Sequence, residues 1–393
     1  MHKIQKLLAI ALGLAMWSGG TAHAYTLETC TTAAGGPGAS TTDATLTTLV
    51  KWKANPTFSL RTSAFSAWQQ DAITWALDEW KRGPQNRFIN WTSGTTGAVN
   101  NGKSEIYMDG AACGDGCAST IQSCAKGIIE VDVRFKQFPG TAPAGLWTAT
   151  GGNASTKDQL WPYGGRYSDL ASAALHEFGH ALGLDHTSNR YNLMGDSWRF
   201  GHTSGDYNIP SVGSDDAGGV IALYGKKAGA KPELGVSHWQ RVGASGAYSV
   251  HGFVDLRDSA GNKIAGTARA AGSGELVYPV AKGAVVKPQF TLENNGAGGS
   301  VTVGRAYYLS TDDEISTADK LLLSNTVGMP GQGATSTTGV TVTIPAGTAA
   351  GRYYLGIVID GRNAVIEEHE DPFGNAVLPT WTGNVSYIPI QVK

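Results

Sequence analysis

The stretch His176-Glu177-Phe178-Gly179-His180-Ala181-Leu182-Gly183-Leu184-Asp185-His186 decides how the first half of the chain is read. Residues four apart on a helix lie nearly above one another, so His176 and His180 present two imidazoles from one face. That is the disposition a tetrahedral zinc ion takes from two neighbouring ligands. Glu177 follows the first of them and sits beside the metal position without having to bind it. There it can take a proton from water that the metal has acidified. A continued helix would carry His186 away. Gly183 tolerates the left-handed backbone that ends a helix and turns the chain, so His186 can return as a third nitrogen ligand. Three protein ligands leave one position open for water and substrate, which separates a catalytic site from a closed structural one.

Working outward, the helix that carries the motif starts at Ser168 or Asp169, either of which can cap it. Its Leu170, Ala174, Leu175, Phe178 and Leu182 would face the core. Upstream, Phe65, Trp68, Ala72, Trp75, Ala76, Leu77 and Trp80 recur at three- and four-residue spacing, which predicts an amphipathic helix over 63–81 whose aromatic stripe is core packing. Short strand pieces are expected at 50–52 and 58–60, and strands at 104–108 and 128–135. In the last of these, alternation puts Ile129, Val131, Val133 and Phe135 on one face. Downstream, Ser214-Asp215-Asp216 opens a final helix, because acidic groups favour a helix N-terminus. That helix carries Val220, Ile221, Leu223 and Tyr224 and ends at Gly225.

Beyond a short basic linker at 226–235 the helical period disappears. Strand-like runs at 248–256, 285–292, 301–309, 340–344, 353–359 and 387–392 are separated by Asn294-Asn295-Gly296, Pro330-Gly331 and Pro345-Ala346-Gly347. Short strands with regular turn signals predict a β-sandwich over 236–393. The 393 residues thus divide into an α+β domain at 48–225, with a twisted mixed sheet backed by helices, and an all-β domain.

Thirty basic residues against 32 acidic ones give no electrostatic case for nucleic acid or an anionic membrane. The 53 glycines and 16% charged residues suit a secreted, turn-rich chain. A basic start, an apolar run over 7–17 and Ala22-His23-Ala24 predict a signal peptide at 1–24, with no membrane span and an extracellular destination. The N-terminal segment 25–47 is small and polar and could serve as a short pro-segment. Cys30, Cys113, Cys117 and Cys124 are even in number. In an exported chain that favours disulfides of undefined pairing. Cys30 as a latency ligand of the metal and an unpaired thiol are the other readings. His202, His238, His251 and His369 lack ligand spacing.

The H-E-x-x-H-x-x-G-x-x-H run, followed by Thr187 and by Met194 in Asn192-Leu193-Met194-Gly195, resembles the matrixins, the matrix-metalloproteinase-like branch of the metzincins. Residues 215–225 resemble their closing helix. Position 196 is Asp, where astacins and serralysins carry a tyrosine. The resemblance covers about 48–225. It implies a zinc endopeptidase in which His176, His180 and His186 bind the metal, Glu177 is the general base and Met194 forms the apolar floor. Three matrixin features are absent. There is no cysteine-switch sequence, and the His/Asp stretch for a second zinc is missing. Gly195-Asp196-Ser197-Trp198 replaces the Pro-x-Tyr wall, and Trp198 reads equally as a wall or as exposed packing. One zinc is therefore expected, and calcium stays open without assigned ligands.

Residues 280–393 are similar to CARDB, a bacterial adhesion-type immunoglobulin-like sandwich. The likeness rests on Asn295-Gly296, Tyr308-Leu309-Ser310-Thr311-Asp312, Gly351-Arg352-Tyr353-Tyr354 and Val365-Ile366-Glu367-Glu368. Asp312, Asp313, Glu314 and Asp319 read as a calcium loop or as a solvated acidic turn. The expected activity is hydrolysis of extracellular protein or peptide substrates by a monomer. A surface, glycan or protein ligand would fall to the sandwich. The rival reading is an adhesion protein whose peptidase domain is vestigial or narrowly specific.

Overall fold

The computed structural model describes residues 26–28, 49–94, 97–98, 101–109, 116–123, 126–136, 147–148, 163, 168–187, 193–195, 202–204, 207–209, 212–237, 239–245, 248–271, 273–332, 334–368 and 382–393. The expected signal peptide, Cys30, Cys113, Cys124 and Trp198 lie outside these residues, as does the side chain of Cys117. Among the described residues no helix is long and apolar enough to cross a membrane.

The first domain is a mixed sheet packed against two helices. Its strands are β1 (Thr26–Leu27), β2 (Thr57–Arg61), β3 (Asn90–Gly94), β4 (Ser104–Asp109), β5 (Gly116–Ser123) and β6 (Gly127–Lys136). The main sheet runs β3-β2-β4-β6-β5. It is parallel except at its edge, where β5 pairs antiparallel with β6. Helices α1 (Ala67–Arg82) and α2 (Leu170–Ala181) pack together. Ile73, Ala76, Leu77 and Trp80 of α1 are buried, as their spacing requires. The helix begins later than its period suggests. Residues 62–64 form a 3₁₀ turn, and Ser66 with Gln69 makes a capping box that fixes the start.

Strand β6 corrects one expectation. Ile121 pairs with Glu130 and the next residue, Gln122, pairs with Ile128, so Ile129 is an extra residue in the ladder. This bulge turns Ile129 outward, 44% exposed, and puts Ile128 into the core. Nearby, three buried carboxylates hold a connecting segment. Glu105 accepts from the Ala98 amide (2.9 Å) and Asn101 Nδ2 (2.8 Å), and Glu130 accepts from the amides of Asn101 and Gly102. Asp132 accepts from the Glu105 amide at 3.2 Å. Short pieces β7 (Trp147–Thr148) and β8 (Ser168–Asp169) pair in parallel just before α2. Strand β9 (Leu184–Asp185) follows α2 and takes β1 as its antiparallel partner. A hairpin of β10 (His202–Ser204) and β11 (Tyr207–Ile209) precedes α3 (Ser214–Tyr224).

The second domain packs two sheets face to face. Its strands are β12 (Leu234–Ser237), β13 (Trp239–Ser245), β14 (Tyr248–Phe253), β15 (Asp255–Asp258), β16 (Thr267–Ala268), β17 (Leu276–Val280), β18 (Val285–Asn294), β19 (Val301–Ser310), β20 (Lys320–Met329), β21 (Thr335–Gly339), β22 (Val342–Thr343), β23 (Gly351–Ile359) and β24 (Val385–Val392). One sheet is built around β18, flanked by β12 and β15 on one side and by β21 and β22 on the other. The other runs β16-β17-β24-β23-β19-β20, with β17 and β24 parallel. Leu256, Val286, Phe290 and Leu292 of the first sheet meet Tyr307, Leu355, Ile357, Ile388 and Ile390 of the second in one core. The run 248–256 is not one strand. It breaks at Val254 between the β13–β14 hairpin and β15. Strand β12 begins inside the stretch read as linker.

Candidate metal centre

Asp169 caps α2. Its carboxylate accepts from the Ser172 amide at 2.8 Å, which fixes where the helix starts and hence which face carries the motif. The far end is tied as firmly. The Trp52 indole donates to Ala181 O (2.7 Å), and the Tyr224 hydroxyl donates to Leu182 O (2.5 Å). Those carbonyls belong to the last turn, which has no intrahelical donors left. Gly183 then takes φ +96°, a left-handed conformation that glycine adopts at no steric cost. A Cβ there would also lie 3.0 Å from Val50 O.

The turn brings three imidazoles together. His176 Nε2 lies 3.1 Å from His186 Nε2, and His180 Nε2 lies 3.0 Å from the same atom. One ligand atom from each of the three falls within a 4.8 Å group. His176 Nδ1 lies 2.6 Å from Leu193 O, and His180 Nδ1 lies 2.8 Å from Leu184 O. A carbonyl can only accept, so each of these Nδ1 atoms carries the proton and each Nε2 presents a lone pair. Two such lone pairs meeting a third nitrogen, His186 Nε2, at about 3 Å call for a positive centre among them, a proton or a metal cation. The donor set therefore fits a tetrahedral metal with nitrogen ligands, and carbonyl partners behind the rings are the support such ligands need. Burial, followed by the neighbouring imidazoles, holds His176 well below the usual histidine range and lowers His180 to about 4. Both are neutral at physiological pH, the form that binds metal.

Glu177 is 6% exposed, and burial pushes its carboxyl up to about 7 against a stabilising bond from the Ala118 amide of edge strand β5. A cation beside it would pull that value down again. Met194 is 1% exposed, and its carbonyl accepts from the Thr187 amide at 2.7 Å. The turn below the histidines is thus bonded to the arm that carries His186.

Two residues at this site escaped sequence reasoning. A Cβ on Gly179 would overlap Met194 Sδ and crowd the Trp80 ring, so the glycine between the two helical histidines makes room for the sulfur. Asp216 was read as one of two acids at a helix start. It does bond the Gly213 amide (3.2 Å), but it is 1% exposed and also accepts from the Met194 amide. Burial and then Asp215 raise its carboxyl well above the ordinary range, and Glu293 of the sandwich adds to the rise.

Residues 52–225 match the family model for Matrixin. Local likeness runs to Stromelysin-3 of Rattus norvegicus, 38% identical over 69 residues, which is 18% of this chain and 13% of the relative. It also runs to Matrix metalloproteinase-25 of Homo sapiens, 35% identical over 92 residues, or 23% and 15%. The chain thus spans only about an eighth to a seventh of the length of these relatives. Among solved structures, a CARDB domain from Pyrococcus furiosus in complex with di-metal ions matches at 16% identity and TM-score 0.22, covering 42% of this chain and 90% of that one.

Proposed function

We propose, from the premise that residues 52–225 are a matrixin domain, that this chain is a zinc endopeptidase acting on extended segments of extracellular proteins. The observation that carries the reading is the convergence of three Nε2 atoms, with the Nδ1 protons of His176 and His180 spent on backbone carbonyls. His176, His180 and His186 would hold the metal. Met194 would close the floor beneath it, and Gly183 would set the turn that returns the third ligand.

Zinc held there would polarise the scissile carbonyl and acidify the attacking water. The remaining work falls to the chain. Glu177 lies one residue from a ligand, fixed by the Ala118 amide and shielded from bulk solvent. It takes the proton from the attacking water and delivers it to the leaving amine, so one carboxyl serves as base and then as acid. Strand β5 lies beside α2 at the edge of the main sheet, where a substrate can lie extended alongside it. His176 and His180 stay neutral because burial and the neighbouring imidazoles outweigh their carbonyl bonds, which by themselves favour the charged form and serve to orient the rings. Secretion, a single catalytic zinc, monomeric behaviour and a binding role for the sandwich belong to the same proposal.

Glu177→Gln removes the base and keeps the shape. The variant should retain its zinc and lose on the order of 10²–10⁴-fold in cleavage of casein or gelatin. Wild-type rates in the variant would remove Glu177 from its role. A wild-type protein with no chelator-sensitive cleavage would instead favour the adhesion reading, in which the peptidase domain is vestigial.

A further inference from the structure

The segment between the two domains is not a tether. Each stretch of it is bonded to one domain or the other. On the first side, Asn86 N donates to Gly225 O, Lys227 N donates to Pro84 O, and Lys227 Nζ donates to Arg82 O at 2.8 Å. On the second side, the same ammonium pairs with Glu368 at 2.9 Å. Glu368 also accepts from the Lys231 amide (2.6 Å), and its own amide donates to Pro232 O (3.0 Å). Gly298 N donates to Lys231 O, and Asn295 N donates to Glu233 O. A Cβ on Gly296 or Gly298 would overlap the backbone of 231–233, so these glycines form a groove fitted to the segment. Lys227 therefore bridges the end of α1 and Glu368.

What this seam brings together matters more than the seam. Strand β24 of the sandwich approaches β10, the first strand of the hairpin between Met194 and α3. Glu293, at the end of β18, lies close enough to Asp216 for its charge to act on it, and Asp216 bonds the Met194 amide. The sandwich thus meets the elements that follow the third histidine.

We propose that the sandwich is a built-in buttress of the metal site. Latched through Lys227 and Glu368, it holds the Met194 turn and the β10–β11 hairpin in place and so sets which peptides the neighbouring cleft accepts. The clause about peptides rests on the peptidase reading, whereas the buttress does not. A domain joined by a free linker would leave its neighbour's dynamics untouched. A fixed one couples the opening of the turn and hairpin to release of the seam.

The test is hydrogen exchange on the full zinc-loaded chain, with Glu368→Ala and Gly298→Val as independent ways of opening the seam. Both should speed exchange at 193–195, 202–204 and 207–209 by about tenfold or more. Zinc should stay at one per chain, and the cut-site profile on a peptide library should broaden. Lys227→Arg, which keeps charge and donors, should exchange like wild type. The buttress is overturned if linker amides at 226–233 loosen while the turn and hairpin exchange as before. It is equally overturned if neither variant changes exchange anywhere along the seam. Loss of the peptidase reading would appear separately, as wild-type protein without chelator-sensitive cleavage, and the exchange result would stand by itself.

Discussion

The two domains bury apolar side chains in the same way and charge in different places. In the first, buried acids and one buried imidazole cluster around the histidine motif, namely Asp169, His176, Glu177 and Asp216, with a second group of Glu105, Glu130 and Asp132 on β4 and β6. In the second, Phe290, Tyr307, Ile357 and Ile390 fill an apolar core, and the buried charges are dispersed, with Asp255, Glu275, Arg305 and Asp360 in separate places and one group at the rim beside the linker. There Glu293, Asn294, Glu367 and Asn384 lie close to the linker. Leu234 N donates to Glu367 at 2.7 Å, and Asn384 Nδ2 donates to it at 2.8 Å. Burying a polar group costs free energy unless a partner is supplied, so folds bury charge where position matters more than stability. By that measure the first domain positions its histidine group, and one of the second domain's polar groups positions the seam.

His180→Ala is the sharpest way to break the contrast. With wild type, saturating zinc should raise stability by about 4 kcal/mol at a thousandfold excess over its Kd. The variant lacks one of three converging nitrogens and should gain almost nothing, and its cleavage should vanish. In calorimetry only the transition of the first domain should respond. A zinc shift that survives the substitution would show that the cluster is not where the metal binds.

A middle-sized effect is expected from Gly179→Ala. The added methyl must displace Met194 Sδ, and overpacking of this kind costs about 1–3 kcal/mol. Because the displaced group underlies the site, turnover should fall more than stability alone explains. A variant as active and stable as wild type would leave Met194 without a positioning role.

The smallest effect is a pH slope. Burial, opposed by Arg82, raises the Glu79 carboxyl of α1 to about 7. In the unfolded chain it ionises near 4.5, the ordinary value for a glutamate. Between those values the unfolded state binds fewer protons, so the contribution is complete below about pH 4.5 and lost as pH rises through about 7. Glu79→Gln should flatten that limb of the stability curve, by on the order of 1–3 kcal/mol in urea titrations across the window. A slope unchanged by the substitution would place the buried proton elsewhere.

Legibility followed sequence distance. The motif at 176–186 works through four-residue helical spacing and one glycine, so the meeting of three imidazoles could be read from the chain alone. The apolar runs that became β18, β19, β23 and β24 were equally plain, because both flanks of each strand face a core or a neighbour. Strand β20 was not, since it is an edge strand whose Lys320, Leu321, Ser324, Asn325 and Thr326 are exposed, and no alternation marks it. Ile129 misled because a bulge depends on the partner strand and leaves no local trace. Gly179 and Asp216 looked ordinary because the atoms that give them meaning belong to Met194, distant in sequence from one and in a different element from both. The stretch at 226–235 read only as a short basic linker, because the partners that fix it, Arg82, Pro84 and Glu368, are distant in sequence.

Strand β1 imposes an order of assembly. Thr26 and Leu27 pair with Asp185 and Leu184, and the Glu28 amide bonds Gly183 O. Residues 26–28 lie early in the chain and must wait for partners made much later. Closing so long a loop comes late in folding, because its entropy is lost before its contacts form. The arm that carries His186 is therefore fastened only after nearly the whole first domain exists. A ribosome-bound fragment ending before residue 184 would hold two imidazoles on a helix and no third. A growing chain built this way completes its group of three imidazoles only when its first domain is nearly in place.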